Sequence, residues 1–223
     1  MVKDLYPWYN MCWLRLKTMI RRFITVMELK TVYFKNPGKE NTDDVLRIAR
    51  QRAEELNIKT IVVASTTGAT AVKAAEAFKD MRVIVVRHST GWKEPNTQEF
   101  TEDNRKIVES KGVQIVTAAL AFGGLNRSMR QGSIPDARQT YIIGDIVANT
   151  LRVFGQGMKV ACEIATMAAD AGLVRTDEEV ISIAGTGAKA AGRGADTSIV
   201  LQPSYAHLFF DMRVKEILCK PHF

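Results

Sequence analysis

From residue 30 onward the chain alternates between short β-branched apolar runs and longer segments whose apolar positions recur every three or four residues. Lys30-Thr-Val-Tyr-Phe34 reads as a strand and ends at the turn signal Asn36-Pro37-Gly38. Asn41 to Asp44 supply an N-cap and two first-turn acids, and Val45, Leu46, Ile48, Ala49, Ala53 and Leu56 form the apolar stripe of the helix that follows. Thr60-Ile-Val-Val-Ala64 and Arg82-Val-Ile-Val-Val-Arg87 are uninterrupted β-branched runs, the pattern of strands covered on both faces. Between them, Ser65 to Thr70 leads into an Ala-rich helix ending near Phe78.

A polar loop then spans His88 to Thr101, followed by a helix from Glu102 to Ser110 and a short strand, Val113 to Val116. Residues 120–138 read as loop with a helical turn. Tyr141, Ile142, Val147, Leu151 and Phe154 form a helical stripe, and a second helix runs from Met158 to Ala171, closed by Gly172. Glu179 to Ile183 is a strand, followed by a Gly-rich loop and the strand Thr197 to Gln202. Arg213 to Leu218 alternates as a half-buried strand. Strands alternating with helices at this spacing predict an α/β sandwich with a mainly parallel sheet, and the late strand–loop–strand adds one antiparallel member. No repeat or linker divides it.

Composition narrows the class. With 223 residues, 46% hydrophobic and 25% charged, the chain is neither disordered nor collagen-like. Cys12, Cys162 and Cys219 lie far apart, which argues against a disulfide scaffold or a cysteine zinc site and for a reducing cytoplasm. Only three histidines are present, so no metal centre is expected. No apolar run reaches the length of about 18 residues that spans a bilayer.

Of the formal net charge of +7, residues 1–26 hold +4, from Lys3, Arg15, Lys17, Arg21 and Arg22 against Asp4. The remainder is ordinary, and nucleic-acid binding loses its compositional support. Trp13, Leu16, Ile20, Phe23 and Ile24 recur at helical spacing opposite the arginines. Residues 1–26 therefore read as a basic amphipathic extension. It is favoured as a non-essential appendage with Met27 a candidate start, the alternatives being a membrane-surface anchor, a targeting segment or a helix packed on the domain. Residues 27–223 read as a single domain.

Four segments carry candidate chemistry. Ser65-Thr66-Thr67-Gly68-Ala69-Thr70 joins the end of a buried strand to the start of a helix, where free N–H groups and the positive helix end converge on an anion. Its hydroxyls add donors and Gly68 admits close approach, although Ser and Thr also cap helices routinely. It is not a Walker loop, since GxxxxGK[ST] is absent. The loop from Gly185 to Gly194 carries four glycines but precedes a strand, so it is not a dinucleotide fingerprint. It reads as a ligand-closing loop, with Lys189 and Arg193 as anion contacts, against a plain surface hairpin. His88-Ser89-Thr90-Gly91-Trp92 is a third strand-end loop, with His88 a candidate acid or base and Trp92 a candidate stacking surface. Glu163, Thr166 and Asp170 share one helix face, for which a solvated face is the favoured reading, with Asp196 and Asp211 of similar status and Cys162 a small buried hydrophobe.

From Thr31 to Phe223 the chain resembles stand-alone archaeal and bacterial proteins related to the pyruvate kinase C-terminal α/β domain. The resemblance rests on YFKNPGKENT (33–42), IVVASTTGATAVKA (61–74), FGQGMKVACEIATMAADAG (154–172), GRGADTSIVLQPS (192–204) and FFDMRVKEILCKP (209–221). It implies a three-layer α/β/α sandwich with a mainly parallel sheet of about five strands, one antiparallel edge strand and no kinase active site. In pyruvate kinase a Thr/Ser/Gly-rich loop, similar to Ser65–Thr70, grips an effector phosphate, and a Gly-rich loop, similar to Gly185–Thr197, closes over it. Flavin mononucleotide has been associated with the stand-alone relatives. Residues 1–26 have no counterpart in that pattern, and Gly185–Gly192 is longer than the relatives' loop.

The expectation is a binding protein for a phosphorylated small molecule, flavin mononucleotide (FMN) foremost. Ser65, Thr66, Thr67, Gly68 and Thr70 would hold the phosphate, while Thr90, Gly91, Gly185, Thr186, Gly187 and Asp196 would enclose the rest. A sugar-phosphate effector module and a flavin-dependent oxidoreductase remain open. So do a catalytic role for His88, Glu163 or Asp196, and a homo-oligomeric state.

Overall fold

The computed structural model describes residues 26–131, 142–187 and 192–222. The stripe from Trp13 to Ile24, Cys12, Tyr141 and Lys189 lie outside the described residues. Two units divide between Lys30 and Thr31. In the first, residues 26–30 are exposed and without regular secondary structure.

The second unit contains strands β1 (Val32–Phe34), β2 (Thr60–Ala64), β3 (Arg82–Arg87), β4 (Gln114–Thr117), β5 (Val180–Ala184), β6 (Thr197–Gln202) and β7 (Arg213–Pro221). Its described helices are α1 (Thr42–Leu56), α2 (Ala69–Ala77), α3 (Glu102–Ser110), α4 (Gly124–Gln131), α5 (Ile143–Arg152) and α6 (Gln156–Asp170). The sheet runs in the order β1-β7-β6-β5-β2-β3-β4. Strands β4, β3, β2 and β5 are parallel, and β6 is the antiparallel member at the edge of that block. Beyond β6, β7 returns antiparallel to it and β1 pairs parallel to β7, which extends the sheet past the five strands expected.

Strand period sorts the apolar side chains into two cores, one on each face. Ile61 and Val63 of β2 pack with Val45 and Ala49 of α1 and with Ala71 and Phe78 of the α2 segment. Val62, between them, packs with Ala161, Cys162 and Ala165 of α6. These β2 side chains are fully buried, which is why the strand is apolar throughout rather than alternating. The result is an α/β/α sandwich.

Several expectations change in detail. Asn41 does not cap α1 with its side chain; it lies in a 3-10 turn (Lys39–Asn41) and donates its amide to the Asn36 carbonyl at 2.8 Å. Thr42 instead ties the helix start to the far end of the chain, its hydroxyl accepting from the Ala195 N–H at 3.1 Å. The stripe placed over residues 137–154 is helical from Ile143 to Arg152, and Phe154 is half exposed in the turn that Gly155 (φ 118°) closes. Strand β7 does not alternate. Its first residues lie on an open edge, while Cys219 to Pro221, covered by β1, are mostly buried.

The largest difference is α6. It is packed by the sheet, by α5 and by the 3-10 turn Ala206–Asp211, so the expected solvated face is buried at Glu163 and Thr166, which are 1% and 0% exposed. Only Asp170 at its end reaches the surface, where its carboxylate accepts the Ala206 N–H at 3.0 Å. Cys162 is the buried hydrophobe anticipated, with burial pushing its thiol up to about 12. No described helix is long and apolar enough to cross a membrane.

The first turn of α6 meets β6 at Gly157, where an added Cβ would fall 2.0 Å from the Thr197 hydroxyl oxygen. Gly157→Ala is expected to lower stability by roughly 1–3 kcal/mol, the usual range for overpacking a tight contact. An unchanged urea midpoint would show that this contact gives way freely.

Candidate functional site

Parallel pairing brings the carboxyl ends of β2, β3 and β5 to one edge of the sheet: Ala64 lies opposite Val86, and Val63 opposite Ile183. Chains leaving that edge must form their loops side by side, at the position where open α/β sheets bind ligands. A cavity of about 390 Å³ lies there. Ser65, Thr66, Thr67 and Thr70 line it from the β2 end, His88 and Trp92 from the β3 end, and Gly185, Thr186 and Gly187 from the β5 end. The three loops singled out in the sequence therefore share one cavity.

The Ser65 hydroxyl accepts the Ala71 N–H at 3.3 Å and thereby caps α2. Among the described residues, the N–H groups of residues 66–70 reach no protein acceptor, as expected of a helix start awaiting a partner. Across the cavity the Thr186 hydroxyl is buried and likewise has no hydrogen-bond partner among the described residues.

Four of the sequence-selected residues do not line this cavity. Gly68 is a packing position: its φ is +95°, and an added Cβ would fall 2.5 Å from the Asn104 Cβ. Thr90 accepts a hydrogen bond from Gln98 at 3.1 Å, and Gly91 borders a neighbouring depression. Asp196 is fully buried and acts as a staple. One carboxylate oxygen accepts the Gly38 and Thr186 N–H groups, each at 3.1 Å, and the other accepts the Thr197 hydroxyl at 2.8 Å. It thus fixes the Gly-rich loop from beneath.

The loops after β3 and β5 are tied through Glu99, which accepts from Arg193 at 2.6 Å and lies 3.3 Å from His88 Nδ1. Burial pushes the Glu99 carboxyl up, but the hydrogen bonds from Arg193 and His88 outweigh it and hold the group below its ordinary range. His88 stacks on Trp92 with ring centroids 4.6 Å apart, and the Arg127 guanidinium sits 3.9 Å from the Trp92 ring centre. Trp92 therefore presents a wall already faced by a cation and an imidazole.

The wall opposite the loops comes from the start of α6, which sequence reasoning passed over apart from Glu163. Gln156, Lys159 and Glu163 line the cavity, with Arg152 from α5 beside them. Lys159 is 4% exposed and pairs with Glu163, whose other oxygen accepts the Phe122 N–H at 3.1 Å. Burial pushes the Lys159 ammonium down, Arg152 adds to this, and Glu163 opposes it. The available signal was a Lys and a Glu four residues apart inside an otherwise Ala-, Met- and Ile-rich helix. Of the described residues, Arg87, Arg127, Arg152, Lys159 and Arg193 line the cavity against the one carboxylate of Glu163. Among the described residues, no group of three or more metal-ligating side chains occurs.

Burial holds the His88 imidazole below its ordinary value near 6.5, with Glu99 offsetting only part. The unfolded chain thus takes up a proton before the folded one does, and stability is lost as pH falls from about 6.5 through the depressed value. His88→Gln removes that contribution. Urea unfolding between about pH 7.5 and 5 should give the variant a shallower acid-side loss than the parent. Equal slopes would mean that His88 titrates alike in both states.

The described family "Pyruvate kinase, alpha/beta domain" matches residues 43–201, more than half of the chain. That span runs from the first turn of α1 to the end of β6 and contains all three cavity loops. The chain belongs to the pyruvate kinase alpha/beta domain family.

Proposed function

We propose that this protein binds a phosphorylated small molecule in the cavity at the carboxyl ends of β2, β3 and β5, with FMN the leading candidate. The observation that carries the reading is the set of unpartnered donors around that space. The N–H groups of residues 66–70 reach no protein acceptor among the described residues, Thr66, Thr67 and Thr70 line the cavity beside the unpartnered Thr186, and the ionised side chains described in its wall are cations except for Glu163. An anion at the start of α2 gains both hydrogen bonds and the helix field, and nearby guanidinium groups strengthen them in a partly dewatered site.

A cavity of about 390 Å³ is within the range of roughly 300–1,000 Å³ typical of small-molecule sites. Val160, Ile164 and Leu120 supply an apolar flank for the body of the ligand. FMN, when bound, would supply redox chemistry of its own. The chain's part is then to hold the phosphate on residues 66–70, neutralise it with Arg152 and Arg193, and keep the Gly185–Gly187 segment in place through Asp196. The same donors suit a sugar phosphate in a regulatory module, which would need no turnover. The buried free thiols of Cys162 and Cys219 favour a cytoplasmic setting.

Purified protein mixed with FMN and desalted should retain a yellow chromophore, and riboflavin, which lacks the phosphate, should bind at least about tenfold more weakly. Arg152→Ala should weaken FMN by a similar factor, near the ~1.4 kcal/mol of one charge-assisted contact. Equal affinity for riboflavin and FMN would remove the phosphate cradle from the account. Failure to hold FMN, with a thermal shift from a sugar phosphate, would establish the regulatory reading instead.

A further inference from the structure

The Lys159–Glu163 pair is the one ionisable group in the cavity wall that anion binding leaves unexplained. A salt bridge built for stability has no need of a cavity, and exchanging a buried pair for apolar residues is often neutral or stabilising. This pair instead sits where the chain is otherwise apolar, with Val160 and Ile164 beside it and the Phe122 ring 5.8 Å from the Lys159 Nζ. Among the described residues, Lys159 Nζ hydrogen-bonds to Glu163 alone, although an ammonium group has three donors. Its side chain is 6% exposed, and the residue lines the cavity rather than the outer surface. Glu163 cannot swing away to follow the lysine, because the Phe122 N–H holds its second oxygen.

Such surroundings make an amine reactive. Desolvation and a neighbouring cation favour the neutral form, and both act on Lys159 through burial and Arg152. A carboxylate fixed beside the amine is a ready proton carrier. Thr66, Thr67 and Thr70 of the proposed phosphate cradle line the same cavity, so a ligand anchored there by its phosphate would present its other end to this wall.

We propose that Lys159 is an amine nucleophile that forms an imine with the carbonyl group of a phosphorylated aldehyde or ketone, with Glu163 carrying the proton. Glu163 takes a proton from the ammonium, and the freed lone pair attacks the carbonyl carbon to form the C–N bond. The nitrogen passes one proton to the carbonyl oxygen, Glu163 returns the proton it took to the resulting hydroxyl, and C–O cleavage releases that oxygen as water and leaves the imine in its protonated form. The net change joins amine and carbonyl to give imine and one water, with no oxidant or reductant. This inference rests on the phosphate-binding reading and requires a carbonyl ligand, with FMN a competitor for the same cradle.

The test is borohydride trapping on the full chain with glyceraldehyde 3-phosphate, with unphosphorylated glyceraldehyde as control, followed by peptide mapping. A reduced adduct concentrated on Lys159 is expected with the phosphorylated aldehyde, suppressed by excess inorganic phosphate and absent in Lys159→Arg. Glu163→Gln should slow its formation by roughly a hundredfold, the lower end of what a positioned proton carrier contributes. Mapping in the parent protein decides the matter even if a variant folds poorly. Adducts spread over exposed lysines, indifferent to the phosphate, would overturn the inference. If inorganic phosphate raises the melting temperature while Lys159 stays unmodified, the imine proposal fails and the phosphate cradle stands. If neither phosphate nor the aldehyde has any effect, both fail.

Discussion

Strand β2 lies between β3 and β5 and runs parallel to both, with Val62 opposite Ile84 on one side and Ser182 on the other. This pairing determines much else in the molecule. Parallel strands need crossovers, and the crossovers lay helices on both faces, which leaves the sheet interior dry and the strands apolar throughout. It also delivers three consecutive strand ends to one sheet edge, so polar loops distant in sequence become neighbours. The cavity is a consequence of that alignment, and Asp196 secures it by holding Gly38 and Thr186 on one buried oxygen.

The wall facing the loops is built differently. Helix α6 is buried almost all round, and its Ala and Met residues allow it to lie close to β2 and β6. Gly157 sets that closeness at the helix start, with Thr197 directly against it. Within this apolar helix Lys159 and Glu163 are the exception, and they open onto the cavity. The site therefore combines a loop side rich in unpartnered backbone and hydroxyl donors with a helix side carrying one buried charge pair. On the proposed reading a phosphorylated ligand would satisfy the first, and a reactive or strongly polar group at its other end would meet the second.

Much of the fold was legible because strands covered on both faces write themselves as β-branched apolar runs, whether parallel or antiparallel: Thr60–Ala64, Arg82–Arg87 and Thr197–Gln202 were each read with their observed bounds. Helix α3 was equally clear, since the Thr101 side chain caps it by accepting the Asn104 N–H, with Glu102 and Asp103 in its first turn. The three loops that share the cavity stood out in the sequence because Ser, Thr and Gly cluster at strand ends. What the pattern could not convey was tertiary cover. The Glu163 face looks solvated by helical period alone, whereas the sheet, α5 and the 206–211 turn all pack against α6 and the Phe122 N–H closes on Glu163 itself. Gly68 and Asp196 were selected by residue type, whereas their surroundings, Asn104 for one and the Gly38 and Thr186 amides for the other, are set by segments far away in sequence. Lys159 drew no notice because a lysine in a helix normally points to water.

The central claim is that one anion site is formed by the start of α2 and the segment after β5. Following backbone amide signals by NMR while inorganic phosphate is titrated into the protein tests this directly. The account predicts the largest shifts at residues 66–70 and at Thr186, saturating together with one dissociation constant. Shifts scattered over exposed lysines and arginines, with residues 66–70 unmoved, would contradict it.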